Sequence, residues 1–112
     1  MATCIFCAIA RGEGDARYVH RDDRVVAIED LGPVAPVHVL VIPVEHFETV
    51  REITDPALLA RMHQVAHRIA DERGLAESGY RLVFNIGRDG GQTVPHVHLH
   101  LLGGRAMAWP PG

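Results

Sequence analysis

The stretch Pro95-His96-Val97-His98-Leu99-His100-Leu101-Leu102 alternates between histidine and apolar residues from its second position to its seventh. A period of two is typical of a β-strand, because successive side chains of a strand point to opposite faces. The pattern therefore predicts a strand that carries three histidines in one row and turns its valine and leucines toward a core. Adjacent imidazoles must divide protons among themselves, which is a property of reactive sites more often than of solvated surfaces.

Size and composition place the chain among small globular proteins. Its 112 residues fit one domain, residues 1–112, and are enough to bury a core without disulfides. The formal charge of -3 and the lack of a basic run argue against binding to nucleic acid polymers. No apolar stretch has the length of a membrane span, and the first residues do not resemble a secretion signal. We expect a soluble, cytoplasmic protein with no membrane partner.

Two segments carry helix signals. The first runs over Cys4–Arg11, with Thr3 as its N-cap, and stops at Gly12. The second starts at Asp55, an N-cap followed by proline at the first helical position, and continues with apolar residues at helical spacing. A glycine at position 74 marks its expected end.

The remaining elements are expected to be strands. Besides the histidine stretch, runs rich in apolar and β-branched residues predict strands over residues 16–20, 24–29, 37–42 and 81–86. The 37–42 run is apolar at nearly every position, so it should be central and covered on both faces. Residues 45–50 are expected to form a helical turn. Short connections favour antiparallel pairing, so the predicted fold class is α+β: a five-stranded, mainly antiparallel sheet with two helices.

The histidine row favours phosphorus chemistry. A neutral imidazole is a competent nucleophile near pH 7, and attack on phosphorus gives a phospho-histidine that water can hydrolyse. His98 is the natural nucleophile, because a backbone carbonyl can hold its Nδ1 and leave Nε2 free. His100 and the backbone N–H groups of the glycine-rich loop at residues 87–93 can bind phosphate oxygens, with Asn85 and Thr93 as further donors.

Metal chemistry is the competing interpretation. Histidines two positions apart on a strand can share one zinc, as in metal-dependent hydrolases. A better metal site is the Cys₂His₂ set that matches a closed structural zinc centre, namely Cys4, Cys7, His46 and His96. The two cysteines also fit a pair of buried thiols or a redox pair, although a redox motif would be expected after a strand of a βαβ unit.

Several segments together resemble a known family. The histidine stretch, the segment at residues 35–43, the Gly-Gly-Gln-Thr of residues 90–93 and the tail at residues 103–112 are similar to the histidine triad superfamily, in its Hint (histidine triad nucleotide-binding) branch. The resemblance covers nearly the whole chain. It implies hydrolysis of adenosine or guanosine 5′-monophosphoramidates through a covalent nucleotidyl-histidine, with His98 as nucleophile, His100 near the phosphate and leaving group, and His38 in support.

The same resemblance implies a nucleotide site and a dimer. Asp30 would contact the ribose hydroxyls and Leu31 the base. The phosphate contacts would be Asn85, Gly91, Gln92, Thr93, His98 and His100. Two chains would share a ten-stranded sheet, and the tail would carry Trp109 to the partner's active site. Some bacterial members hold zinc at a cysteine pair, and none of the implied chemistry requires a catalytic metal.

Two other functions fit the same residues. A dinucleoside polyphosphate hydrolase would use the same His98 chemistry with a different leaving group. A purine-nucleotide-binding regulatory module would hydrolyse its ligand incidentally. The Trp109 tail favours the phosphoramidate hydrolase over the dinucleotide enzyme, and no sequence feature excludes the binding module.

Overall fold

Two helices and five strands make up the described part of the chain. The structure, a computed structural model, describes residues 4–112. In chain order the elements are α1 (Ile5–Ala10), β1 (Tyr18–Arg21), β2 (Val25–Glu29), β3 (Val37–Pro43), a single 3-10 turn (Val50–Glu52), α2 (Pro56–Glu72), β4 (Tyr80–Phe84) and β5 (Leu99–Gly103).

The five strands form one sheet in the order β1-β2-β3-β5-β4, and every neighbouring pair is antiparallel. The predicted α+β class and the five-stranded antiparallel sheet with two helices are confirmed. β3 lies in the middle and is buried from His38 to its last residue, as its continuous apolar run predicts. β4 is an edge strand that pairs with β5 alone among the described strands.

Helix α2 covers one face of the sheet. Asp55 accepts a hydrogen bond from the Ala57 N–H as the N-cap, and Gly74 follows the helix with a φ of 73°, as the sequence predicts. Apolar side chains along one side of the helix pack on the alternate strand residues that include Val39, Val41 and Leu101. Burial of each large apolar side chain contributes about 1.5–3 kcal/mol, so this interface dominates the core.

The opposite face of the sheet carries α1 and the histidines His38 and His100. Phe6, Ile9 and Ala10 of α1 pack on Leu40 and Ile42 of β3. Cys4 is the N-cap of this helix, and the predicted N-cap Thr3 lies outside the described residues. Across residues 4–112, neither helix has the length and apolar content needed to cross a bilayer.

Two predicted elements are wrong in detail. The histidine strand starts at Leu99, so His96 and His98 precede the ladder. The predicted helical turn over residues 45–50 is absent, and a 3-10 turn begins at Val50 instead. The two segments contact each other directly, because the Val97 N–H donates to the Phe47 carbonyl at 2.9 Å and not to a strand of the sheet.

Candidate functional site

The histidines gather on the sheet face opposite α2. His38 of β3 and His100 of β5 lie on this face because their neighbours Val39 and Leu101 point into the α2 core. Leu40 pairs with His100 in the ladder on one side, and Val83 of β4 pairs with it on the other. His100 therefore lies between two flanking strands, one strand away from the β4 edge.

His98 is buried and held in one orientation. Its Nδ1 lies 2.8 Å from the His96 carbonyl oxygen, and its ring meets the Phe6 ring edge-on at 5.0 Å between centroids. A carbonyl can only accept, so the proton of Nδ1 is donated to it and the Nε2 of the neutral ring is left as a lone pair. This geometry is the one expected for an imidazole nucleophile.

A hydrogen-bonded chain fixes the tautomers of the other two histidines. The Val34 N–H donates to His38 Nδ1 at 3.1 Å, so the proton of neutral His38 is on Nε2. That Nε2–H donates to His100 Nδ1 at 2.9 Å and has Asp30 Oδ2 at 3.4 Å. His100 must then carry its own proton on Nε2. His100 thus has a donor at Nε2, and His98, through its separate bond to the His96 carbonyl, has an acceptor at Nε2; the two ring centroids are 5.0 Å apart.

His38 and His100, the two histidines of this hydrogen-bonded chain, are neutral at pH 7. Burial, helped by the nearby His98 and His38, lowers the pKa of His100 to about 4, although Asp30 acts in the opposite direction. Burial also lowers the pKa of His38 despite the same carboxylate. Protonating His100 would place a cation among two other imidazoles without enough water to solvate it.

This shift makes the stability of the protein depend on pH. The unfolded chain binds a proton at His100 near pH 6.5, whereas the folded protein binds it near pH 4, so acidification favours the unfolded state across that interval. We expect the free energy of unfolding, measured with urea, to fall as the pH drops from 6.5 to 4. Below pH 4, His100 should no longer contribute to the pH dependence of this free energy. His100→Gln should flatten the dependence in that interval. An unchanged slope in the variant would contradict the proton assignment at His100.

A cavity of about 490 Å³ adjoins His38 and His100. It lies between β4 and the C-terminal tail, which folds back on the sheet through a 2.9 Å hydrogen bond from the Arg81 guanidinium to the Ala108 carbonyl. Asn85 lines it where β4 ends. The site therefore has room for a small molecule on the β4 side of the histidines.

The glycine-rich loop is tied to the site by side-chain amides. Asn85 Nδ2 donates to the Gly90 carbonyl at 2.7 Å, and Gln92 Oε1 accepts from the Gly87 N–H at 3.1 Å. Gly91 has a φ of 77°, which disfavours other residues. Thr93 is exposed and lines a second opening together with Gly91 and Gln92. The loop is ordered by its own contacts, with exposed backbone at its tip.

Four predicted metal ligands come together at the junction of α1 and the approach to β5. Cys4, Cys7, His46 and His96 each offer a ligand atom, and these atoms all lie within 4.8 Å of one another. The Cys4 Sγ to His96 Nδ1 distance is 3.3 Å, Cys7 Sγ to His46 Nδ1 is 3.2 Å, and the two Nδ1 atoms are 3.1 Å apart. Tetrahedral zinc would separate such pairs by about 3.3–3.8 Å.

The surroundings of His96 also fit a metal. Its Nε2 lies 2.9 Å from the Pro43 carbonyl, to which it donates its proton, so the Nδ1 lone pair is directed at the two cysteines. The backbone carbonyl of His96 accepts the hydrogen bond from His98 Nδ1. The donor set and its orientation thus fit a closed structural zinc site, and both thiols are free of disulfides.

Two side chains that the sequence predicts as nucleotide contacts are exposed and do not pack in the core. Leu31 and Trp109 are 80% and 82% exposed. Conversely, three contacts had no local sequence signal: the Phe6 ring on His98, the Val34 N–H on His38, and Arg81 in the cavity. The Phe6 and Arg81 contacts join segments that are distant in sequence, and the Val34 contact depends on the local turn before β3, so periodicity and motif spacing could not have revealed them.

Comparisons with known proteins give a consistent result. Residues 11–107 match the family model described as HIT domain. The purine nucleoside phosphoramidase of Escherichia coli K12 is 46% identical over 105 residues, which cover 92% of this chain and 88% of that protein. A HIT family hydrolase from Legionella pneumophila has a TM-score of 0.95 at 49% identity, covering 98% of this chain and 100% of that one.

A third relative bears on the cysteine cluster. A histidine triad family protein from Mycobacterium smegmatis, solved in a zinc-bound form, has a TM-score of 0.80 at 37% identity, covering 92% of this chain and 76% of that one.

Proposed function

Because this chain belongs to the HIT domain family, we propose that it is a purine nucleoside phosphoramidase, which hydrolyses adenosine and guanosine 5′-monophosphoramidates to the nucleoside monophosphate and an amine. The observation that carries the proposal is a pair of neighbouring imidazoles, one with a free acceptor and the other with a free donor. His98 offers a free Nε2 lone pair, and neutral His100 offers an Nε2–H beside it. One can attack phosphorus while the other donates to a phosphoryl oxygen.

The reaction then proceeds in two displacements. In the first, His98 Nε2 forms a bond to the α-phosphorus and the P–N bond to the amine breaks. His100 is neutral at pH 7, so the proton that the leaving amine needs is carried by the substrate nitrogen. In the second, water attacks the same phosphorus, the electron pair returns to Nε2, and the surplus proton goes to solvent. No step requires a metal.

The nucleotide is proposed to lie across the sheet from β2 to β4. Asp30 would accept from the ribose hydroxyls, Leu31 would pack on the base, and Asn85 would donate to the phosphate. The loop residues Gly91, Gln92 and Thr93 would complete the phosphate contacts. Leu31 is exposed, so its side chain is accessible to a base.

The cysteine cluster is proposed to hold one structural zinc. Cys4, Cys7, His46 and His96 supply four ligands, which leaves no open position for a reacting water. The metal would therefore supply folding energy alone, by linking α1 and the segment around His46 to the approach of β5. Free thiols also suit a reducing, cytoplasmic compartment.

The protein is proposed to act as a homodimer that joins two β4 edges into a ten-stranded sheet. An unpaired edge with half-buried apolar residues such as Leu82 and Phe84 invites another strand. The tail at residues 103–112 would then carry the exposed Trp109 to the partner's site. The net charge of -3 argues against nucleic acid polymers as partners, since their phosphate backbones are also negatively charged.

The dimer and the tail can be tested together. We expect sedimentation equilibrium to give twice the chain mass of 12.3 kDa. We expect Trp109→Ala to remain folded and dimeric while its relative rates on phosphoramidates of different amines change, since this side chain is not part of its own chain's core. A monomeric wild-type protein, or unchanged relative rates in the variant, would contradict this part of the proposal.

The substrate class is tested by a turnover comparison. We expect kcat/KM for adenosine 5′-monophosphoramidate to exceed that for diadenosine polyphosphates by at least about a hundredfold, because the site lies against a small cavity. The reverse preference would identify a dinucleoside polyphosphate hydrolase. Tight AMP binding without turnover of either substrate would identify a regulatory binding module.

A further inference from the structure

Phe6, a buried residue of α1, contacts the proposed nucleophile. Its ring centroid lies 5.0 Å from that of His98, and the two ring planes are 74° apart, the edge-to-face geometry that aromatic pairs favour. We infer that Phe6 is a positioning residue, which holds the His98 imidazole with Nε2 aligned for attack on phosphorus. This inference rests on the proposed phosphoramidase function and adds α1 to the elements that the reaction needs.

The hydrogen bond at Nδ1 leaves the orientation of the His98 ring incompletely fixed. A hydrogen bond to a carbonyl tolerates a tilt of roughly 30° before it weakens appreciably. Such a tilt about Nδ1 moves Nε2 by about 1 Å, and a misplacement of that size can slow a reaction about a hundredfold. Efficient attack therefore requires a second contact that restricts the ring.

Two aromatic neighbours restrict this tilt. Phe6 and His100 each have their ring centroid 5.0 Å from that of His98, with interplanar angles of 74° and 64°. His100 is itself held by its hydrogen bond from His38. His98 is 8% exposed, so little space remains around its ring for water or for another rotamer. Phe6 has no group that can exchange a proton, so it acts on His98 through packing.

The contacts of α1 fix the position of Phe6 relative to the nucleophile. Phe6 lies in the sequence between Cys4 and Cys7. The Sγ atoms of these two cysteines lie 3.3 and 3.5 Å from Nδ1 of His96. The backbone carbonyl of His96 in turn accepts the hydrogen bond from His98 Nδ1. The same cluster of side chains therefore anchors both contacts that orient the nucleophile, the Phe6 ring and the His96 carbonyl.

The first test compares Phe6→Leu with Ala10→Gly. Leucine keeps an apolar side chain in the core but has no flat ring to pack on the imidazole, whereas glycine weakens the same helix at its last residue. We expect Phe6→Leu to lower the single-turnover rate of P–N cleavage about ten- to hundredfold and to leave the dissociation constant for AMP unchanged. Ala10→Gly should keep the wild-type rate, and Phe6→Tyr, which retains the ring, should keep most of it. Urea unfolding shows that each variant folds.

The second test does not require the reaction. Nitrogen-15 NMR of the free protein, at a pH where His98 is neutral, reports which ring nitrogen carries the proton. We expect Nδ1–H alone in the wild type and in Ala10→Gly. Phe6→Leu should show a mixture of both tautomers, because a loosened ring spends part of its time away from the His96 carbonyl. A wild-type protein without turnover would contradict the proposed function, and this spectrum would still test the contact between Phe6 and His98.

Two results would overturn the positioning role of Phe6. If Phe6→Leu cleaved the P–N bond as fast as Ala10→Gly and kept the single tautomer, the Phe6 ring would only fill the core. If Phe6→Leu raised the dissociation constant for AMP and kept the wild-type single-turnover rate, Phe6 would be a nucleotide contact and not a support for His98.

Discussion

Replacing His98 by Asn should lower kcat for adenosine 5′-monophosphoramidate by roughly four to six powers of ten, the cost typical of removing a covalent nucleophile. Asparagine keeps a polar group at the position of Nδ1 and can still donate to the His96 carbonyl, so the backbone around it should not change. It has no lone pair where Nε2 stands. The dissociation constant for AMP should change little, because Asp30, Asn85 and the glycine-rich loop are untouched.

The matched control is His67→Asn. His67 is exposed on α2, on the far side of the sheet, and bonds to the Tyr80 hydroxyl. It should keep the wild-type kcat. If His98→Asn retained activity within about tenfold of wild type, the nucleophile would have to be another group. The free Nε2 of His98 would then have no part in the reaction.

The second large effect concerns the cysteine cluster. Cys4→Ser should remove the zinc and lower the free energy of unfolding by roughly 3 kcal/mol or more, because metal-binding energy becomes folding energy when the site forms only in the native state. α1 has six residues and depends on its contacts with the sheet rather than on its own length. We expect elemental analysis of protein purified without chelators to find one zinc per wild-type chain and almost none in the variant.

Ala8→Ser is the control for this change, since it introduces the same residue into the same helix without touching a ligand. It should retain zinc and stability. A wild-type protein with no metal, and thiols that react freely, would show that Cys4 and Cys7 are ordinary cysteines. The contacts of His46 and His96 would then be hydrogen bonds between side chains.

Local signals predicted most of the fold. Asp55, Pro56 and Gly74 defined α2, and the continuous apolar run over residues 37–42 defined the central strand. The start of β5 was misjudged because the alternation of residue types continues through His96 and His98, where the backbone bends and Val97 bonds to Phe47 and not to a strand of the sheet. The same contact uses a carbonyl that a helical turn at residues 45–50 would have needed.

The candidate site was predictable where one segment sufficed. A backbone carbonyl was predicted as the partner of His98 Nδ1, and in the structure the His96 carbonyl takes this place. The chain from Val34 through His38 to His100 was not predictable, since it depends on the register of β3 and β5. Arg81 was missed for the same reason: it joins the site when the tail folds over β4, and no motif contains it.

The central claim is that His98 becomes covalently bonded to phosphorus, and stereochemistry at phosphorus tests it most directly. A phosphoramidate made chiral at the α-phosphorus with sulfur is hydrolysed in water labelled with oxygen-18, and the configuration of the product is determined. Each in-line displacement inverts the centre, so two displacements predict overall retention. Inversion would mean a single attack by water, with His98 acting as a base, and would contradict the covalent mechanism.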